Sequence, residues 1–253
     1  MTSLQGKTVL IAGASSGIGA GFAQLIAAAG AHVVLGARRT DRIADLAAEI
    51  GASGGKALAV PLDVTDEASV ITAYDQAEAN FGTVNGIVAN AGVGTGGHST
   101  DVPFAGLRQV IDTNLIGAYL VAREGARRMI AAGSREREDG RIVLIGSITA
   151  HQNHGGDAAY AATKAGLAHL GRQFAREWIR QGINVNTLEP GWIASEANAD
   201  WFTTERGQAD IQGLHRRRLL DDDALGDMLL YLLSARSRQV TGATFTIDDG
   251  QSL

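Results

Sequence analysis

The feature that most constrains this chain lies near its start. Thr8–Ala12 is a short apolar run, broken at once by Gly13-Ala14-Ser15-Ser16-Gly17-Ile18-Gly19. Residues 20–29 have helical composition and stop at Gly30, and residues 32–36 read as a second strand. A glycine run between a strand and a helix inside a βαβ unit does two things. It permits a tight turn with close backbone approach, and it aims a helix N-terminus at whatever anion rests on the turn. The second parallel strand then requires a crossover, so the chain predicts a parallel sheet covered on both faces.

The rest of the sequence continues that alternation. Strands are expected at 57–61, 84–89, 142–145, 183–188 and 244–247, with helices at 40–50, 66–80, 107–129, 158–180 and 224–234. The fold class read from this is α/β: one doubly wound, Rossmann-type domain over residues 1–253, of about seven parallel strands. Length alone would also allow two small domains. The 33 glycines and 3 prolines suit many tight strand-to-helix turns.

A second stretch carries reactive side chains. Residues 142–145 run into Gly146 and Ser147, a polar loop follows, and an Ala-rich helix begins near Asp157 or Ala158. Tyr160 and Lys164, four residues apart, share one face of that helix. Ser147 at the strand end could face them. A free tyrosine has a pKa of about 10, too high for efficient proton exchange near neutrality, and a cation within about 4–6 Å favours its phenolate. Lys164 is placed to be that cation. Tyr160 could then protonate a carbonyl oxygen held by Ser147. In isolation the Y-x-x-x-K spacing is common on ordinary amphipathic helices, with a packed Tyr and a Lys whose stem lies along the surface.

The glycine spacing G-x-x-x-G-x-G, taken with Tyr160 and Lys164, resembles the short-chain dehydrogenase/reductase family. The resemblance covers essentially the whole chain, and several motifs stand in the family's order. Asn90-Ala91-Gly92 follows a strand, Asn114 lies within a helix, Ser147 precedes Tyr160 at the family spacing, and Pro190-Gly191 follows a strand. It implies a catalytic set of Asn114, Ser147, Tyr160 and Lys164. It also implies cofactor contacts from Gly13, Ser15, Ser16, Gly17, Ile18 and Gly19, from Asp63 and Val64 at the adenine, and from Asn90, Ala91 and Gly92. Tyr160 and Lys164 would contact the cofactor as well, with Pro190, Gly191, Ile193 and Ser195 around the nicotinamide. Asn114 is expected to help hold a water that links Lys164 to solvent. Ala12 stands where the family usually has Thr, which removes one hydroxyl bond to the Asn-Ala-Gly turn.

Many members that use NAD carry an acidic residue at the end of the second strand. Here that position is Ala37, followed by Arg38 and Arg39. A guanidinium can pair with a 2′-phosphate that a carboxylate would repel. The expected cofactor is therefore NADP(H), with NAD(H) as the alternative, although Ser16 stands where NADP-dependent relatives often place a basic residue. The implied activity is reversible hydride transfer between NADP(H) and a ketone or aldehyde/alcohol pair. The alternatives are an NAD-dependent alcohol dehydrogenase of the same family and an inert dinucleotide-binding sensor or scaffold.

Residues 192–218 are expected to cover a small-molecule substrate, with Thr149, His154, Trp192, Trp201 and Phe202 as candidate contacts. Trp201 and Phe202 could enclose an apolar substrate or pack the segment onto the domain. Residues 132–140 read as a solvent-facing insertion, and 216–218 with 221–223 as a solvated charge cluster. The family also implies a homotetramer or homodimer.

Composition excludes other classes. A net charge of −5 argues against nonspecific binding to nucleic acid or an anionic membrane. Without cysteine there is no disulfide framework or thiolate metal site, and the six His form no H-E-x-x-H pattern, so no metal is expected. There is no G-x-S-x-G elbow or Walker A sequence. No N-terminal leader or ~20-residue apolar run is evident, and a soluble, cytoplasmic protein is expected.

Overall fold

A computed structural model describes residues 2–153, 155–196 and 198–253. Its strands are β1 (Thr8–Ala12), β2 (His32–Ala37), β3 (Lys56–Pro61), β4 (Gly86–Ala89), β5 (Gly140–Ile145), β6 (Ile183–Pro190) and β7 (Thr244–Ile247). They form one sheet in the order β3-β2-β1-β4-β5-β6-β7, every neighbouring pair parallel. β1, β4, β5 and β6 are buried along their whole length; β1 and β4 read as nearly continuous apolar runs, whereas Arg141 of β5 and Asn184, Asn186, Thr187 and Glu189 of β6 are buried polar residues.

The helices are α1 (Gly17–Ala28), α2 (Thr40–Ala52), α3 (Glu67–Phe81), α4 (Phe104–Ile111), α5 (Ala118–Ala131), α6 (Ser134–Arg137), α7 (Ala158–Trp178), α8 (Ala199–Thr203), α9 (Glu205–Gly213) and α10 (Gly226–Leu233). Phe22 and Ile26 of α1, Ile43 and Leu46 of α2 and Leu229 of α10 pack on one face of the sheet. Val70 and Tyr74 of α3, Val121 and Met129 of α5 and Phe174 of α7 pack on the other. The strand order reverses between β1 and β4, and in such sheets the crevice at the carboxyl ends beside that switch point receives the ligand.

One expectation needs revision. The helix expected over 107–129 is interrupted: Asp112–Gly117 is a π-helical turn between α4 and α5, and it carries Asn114. The stretch 132–140 is largely exposed, as expected, and is held to the domain at two points. Ser134 is fully buried, with its hydroxyl donating to the Gln181 carbonyl at 2.6 Å, and Lys7 donates to the Asp139 carbonyl. The 216–218 cluster is exposed, as expected, and within it Arg216 and Arg218 pair with Asp249 near the C-terminus at 3.1 and 2.8 Å.

Among the described residues no helix is long and apolar enough to cross a membrane, and no group of three or more His, Asp or Glu could hold a metal ion.

Candidate active site

At the carboxyl edge of the sheet lies a cleft of about 750 Å³, lined from the glycine turn through Ser147, Tyr160 and Lys164 to Trp192. Its floor begins at Gly13, whose positive φ of 84° places the backbone against the next turn. A Cβ there would meet the Ala91 backbone at 2.8 Å. Gly19 is tighter still, since a Cβ would come within 2.1 Å of the Gly13 carbonyl oxygen. That carbonyl accepts a hydrogen bond from Asn90 Nδ2 at 3.0 Å, so Asn90-Ala91-Gly92 clamps the turn from β4. Ser16 stands at the N-cap of α1 without a side-chain capping bond, which leaves the first N–H groups of the helix without a side-chain partner there. A bare backbone cradle beside an uncapped helix N-terminus fits a pyrophosphate.

At the other end of the turn the basic residues converge. Arg39 donates through Nε to Ser15 Oγ at 3.1 Å and through Nη2 to Ser16 Oγ at 2.5 Å. Arg42, which the sequence reading missed, reaches Glu196 with Nη1 at 2.6 and 2.8 Å from its two carboxylate oxygens. Arg38 also lines the cleft. Asp63 Oδ1 accepts from Thr65 N at 3.0 Å and Thr65 Oγ1 at 2.7 Å; these bonds lower its pKa, and Arg38 contributes through space. Val64 is buried against Gly117 of the π-helical turn.

The reacting groups come from three elements. Ser147 follows β5 and caps a short 3₁₀ turn, its Oγ accepting from Thr149 N at 3.2 Å and Thr149 Oγ1 at 3.0 Å. Its own proton remains free to point towards Tyr160 on α7. Burial pushes the Tyr160 phenol above its usual value, while a hydrogen bond with Ser147 pulls the other way and the Asp157 carboxylate raises it further. Lys164 is buried, with Nζ 2.7 Å from the Ile145 carbonyl oxygen and 5.4 Å from the Tyr160 ring centre. Burial lowers its pKa to about 8.

Burial thus opposes the charged form of both groups, with the Lys164 ammonium facing the Tyr160 ring. Asn114 is fully buried and its amide is already committed. Oδ1 accepts from Val93 N at 2.8 Å, and Nδ2 donates to Val93 O at 2.9 Å and Thr163 Oγ1 at 3.2 Å. The side chain thus pins the Gly92-Val93 loop to α7, leaving only its main chain to serve a relay.

Past β6, Gly191 N donates to the Ile247 carbonyl and Trp192 N to Gln251 Oε1 at 2.6 Å. Gln251 thus anchors the Pro190-Gly191 turn. Ser195 N and Oγ both bond Asn198 Oδ1, and Asn198 Nδ2 donates to the Ile193 carbonyl, so this stretch is braced by a residue the sequence did not single out. Trp192 lines the cleft, with Phe202 packed edge-on behind it at 5.9 Å. Trp201 turns away, its indole N–H donating to Asp210 of α9, so neither Trp201 nor Phe202 lines the cleft. Thr149 does, and His154 lies outside the described residues.

The sequence profile of the short chain dehydrogenases matches residues 7–206. The chain belongs to the short-chain dehydrogenase family. Two of its relatives match nearly end to end. The oxidoreductase UcpA of Salmonella typhimurium is 36% identical over 100% of this chain and 97% of its own length. The cis-4-hydroxycyclohexanecarboxylate dehydrogenase of Sinomonas cyclohexanicum is 35% identical over 96% of each chain. The crystal structure of a short-chain type dehydrogenase/reductase from Mycobacterium marinum superposes with a TM-score of 0.91 at 33% identity, covering 99% of this chain and 97% of that one. As a short-chain dehydrogenase the protein is an oxidoreductase of the class that uses nicotinamide dinucleotides.

Proposed function

We propose that the protein reduces a ketone or aldehyde to an alcohol, reversibly, with NADP(H) as the hydride carrier. The observation that carries this reading is the meeting of Ser147, Tyr160 and Lys164 in one cleft with the uncapped N-terminus of α1.

The bound nicotinamide dinucleotide supplies the hydride in reduction and takes it up in oxidation. The chain's own residues do the rest. Ser147 Oγ, anchored by Thr149, holds the carbonyl oxygen by a hydrogen bond, and the Tyr160 hydroxyl donates its proton to that oxygen as negative charge develops there. Lys164 is placed to hold a ribose hydroxyl and to return a proton to Tyr160. A water held by the main chain at Asn114 would resupply Lys164 with a proton from solvent in reduction and take one away in oxidation. Gly13, Gly17, Ile18 and Gly19 seat the pyrophosphate, Asp63 and Val64 flank the adenine, Asn90, Ala91 and Gly92 support the ribose, and Pro190, Gly191, Ile193 and Ser195 border the nicotinamide. The segment 192–218 would cover the substrate, with Trp192 and Thr149 as its contacts.

The choice of NADP(H) rests on Ala37 in place of an acid, on Arg38 in the cleft lining and on Arg39 bonded to Ser15 and Ser16, with Arg42 nearby on Glu196. One observation favours a second reading, NAD-dependent alcohol oxidation. The Glu196 carboxylate occupies Arg42 and stands 3.5 Å from Arg39, where it opposes a 2′-phosphate. Fluorescence titration with NADPH and NADH side by side tests the choice. Tighter NADPH binding, lost on Arg39→Ala, supports the first reading, and equal or tighter NADH binding supports the second. Turnover by Tyr160→Phe at the wild-type rate would overturn both.

A homotetramer or homodimer is also proposed. Phe104 at the start of α4, Ile116 in the π-helical turn and Tyr119 on α5 are exposed large apolar side chains, and a second copy of the chain would cover them.

A further inference from the structure

The cleft carries a carboxylate that the proposed mechanism does not use. Asp157 stands at the N-cap of α7 and its carbonyl accepts from Ala161 N at 3.1 Å, so it lies one turn ahead of Tyr160. Its backbone is left-handed, at φ 61° and ψ 40°, a conformation open to glycine and tolerated by aspartate and asparagine. Asp157 N donates to the Gly97 carbonyl at 3.0 Å, which holds the residue there. The side chain does not cap the helix. Instead Oδ1 accepts from Thr95 N at 3.2 Å and from Thr95 Oγ1 at 3.1 Å, bracing the loop after Gly92 against α7.

One oxygen remains. Oδ2 makes no hydrogen bond among the described residues, both Thr95 bonds being taken by Oδ1. It has room because residue 94 is a glycine, on which a Cβ would stand 2.3 Å from Oδ2. Gly94, Thr149, Asp157, Tyr160 and Trp192 all line the cleft. The brace to Thr95 needs only one oxygen, and an asparagine would supply it without a charge. The charge itself is left over for the cleft, where it already acts through space on the Tyr160 phenol. The cations of the lining are committed elsewhere. Arg39 bonds Ser15 and Ser16 beside the glycine turn, Arg38 acts on Asp63, and Lys164 Nζ holds the Ile145 carbonyl. Among the described residues these are the only arginines and lysines that line the cleft, and none of them forms an ion pair with Asp157.

We propose that Asp157 selects the substrate: its Oδ2 accepts a hydrogen bond from a hydroxyl or ammonium group of the carbonyl compound, and its charge turns away compounds with a carboxylate at that place. The proposal deepens the proposed function and rests on it, since the carbonyl is taken to be held at Ser147 and Tyr160. The substrate class it names is a ketone or aldehyde with a hydrogen-bond donor near the reacting carbon and no carboxylate there. A charged acceptor makes a bond roughly twice as strong as a neutral one. A second carboxylate facing it is repelled. An apolar chain end would strip Oδ2 of water and leave it unpaired, which is also unfavourable.

The test reads binding rather than turnover. The full-length protein is saturated with whichever oxidised nicotinamide dinucleotide it binds more tightly, a complex that cannot reduce a ketone. The probes are 2-pentanone, 4-hydroxy-2-butanone, 4-amino-2-butanone and levulinate, which share one methyl ketone frame and differ at the far end. Dissociation constants are read by ligand-observed NMR titration. The hydroxyl and ammonium probes are expected to bind about tenfold more tightly than 2-pentanone, and levulinate about tenfold more weakly. Asp157→Asn keeps the Thr95 brace through Oδ1, and in it the ammonium preference and the levulinate penalty are each expected to fall to about twofold. Asp157→Gly, which suits the left-handed backbone, is the second variant should the asparagine fail to fold, and in it the hydroxyl preference is expected to vanish as well. No binding, binding indifferent to the end group, or an order unchanged in the variant that folds would overturn the proposal. Failure of the proposed function would show instead as probes that bind in this order yet are reduced with neither NADPH nor NADH.

Discussion

Glu196 grips Arg42 across the mouth of the cofactor cleft, both carboxylate oxygens lying within 2.8 Å of one guanidinium nitrogen. This ties the segment after Ser195 to the start of α2, at the end of the cleft where Arg39 and Ser16 meet. A 2′-phosphate arriving here would compete with the carboxylate for the same donors. The double substitution of Arg39 and Arg42 by Ala should weaken NADPH binding by roughly tenfold or more while changing NADH binding little. Glu196→Gln should do the opposite and tighten NADPH. Calorimetric titration at two salt concentrations checks this, and the NADPH advantage should shrink at high salt because these groups are exposed.

Tyr160→Phe should lower kcat by about 10²–10⁴-fold, the usual contribution of a positioned proton donor. Cofactor affinity should hold within about twofold, since the phenyl ring and the Lys164 contact to Ile145 persist. Steady-state rates combined with a binding titration separate the two effects.

Gly19→Ala should damage both stability and cofactor binding. Its methyl group would lie 2.1 Å from the Gly13 carbonyl and 2.6 Å from Asn90 Nδ2, breaking the clamp that shapes the turn. Overpacking of this kind costs about 1–3 kcal/mol. Thermal melting should show the loss, and nucleotide titration should show binding weakened beyond it. Gly21, in the same helix but with open space around its α-carbon, is the control: Gly21→Ala should be neutral or slightly stabilising.

The features legible in the sequence are those written in local spacing. The strand–glycine–helix unit, the Tyr160/Lys164 pair and the Pro190-Gly191 turn each lie within a few residues, and the parallel sheet follows from the alternation of strands and helices. What was not legible depends on pairs far apart along the chain. Arg42 meets Glu196 at a separation of 154 residues, and Trp192 meets Gln251 at 59. Glu189 reads as one more strand residue until its partners His151 and Gly146 are in place. The π-helical turn at Asn114 leaves little trace either, because the Asn114 bonds to Val93 and Thr163 and the close packing of Gly117 on Val64 join residues far apart along the chain. Position 201 left two alternatives open for a related reason. Its aromatic character fits a substrate cover, but a hydrogen bond to Asp210 decides its direction.

Away from the cleft, α5 carries an ion cluster that should set the acid stability of the fold. Glu124 is buried and accepts from Arg127 Nη2 at 2.8 Å and from Arg128 Nε at 2.6 Å; Arg128 also reaches Asp75 and Glu78 of α3. Burial alone would raise the Glu124 carboxyl, but the two arginine bonds outweigh it and hold the group below its usual value. A carboxylate depressed in the folded state stabilises fully above its unfolded pKa of about 4.5 and loses that contribution as pH falls through the folded value. Glu124→Gln should therefore destabilise the protein at pH 7 by about 2–4 kcal/mol, since it leaves Arg128 partly unpaired between α3 and α5. Below about pH 4 the gap between variant and wild type should narrow, because protonation makes the same change in the wild type. Urea denaturation at pH 7 and pH 3.5 measures both, and a gap that stays constant across that range would show that packing, rather than charge, accounts for the loss.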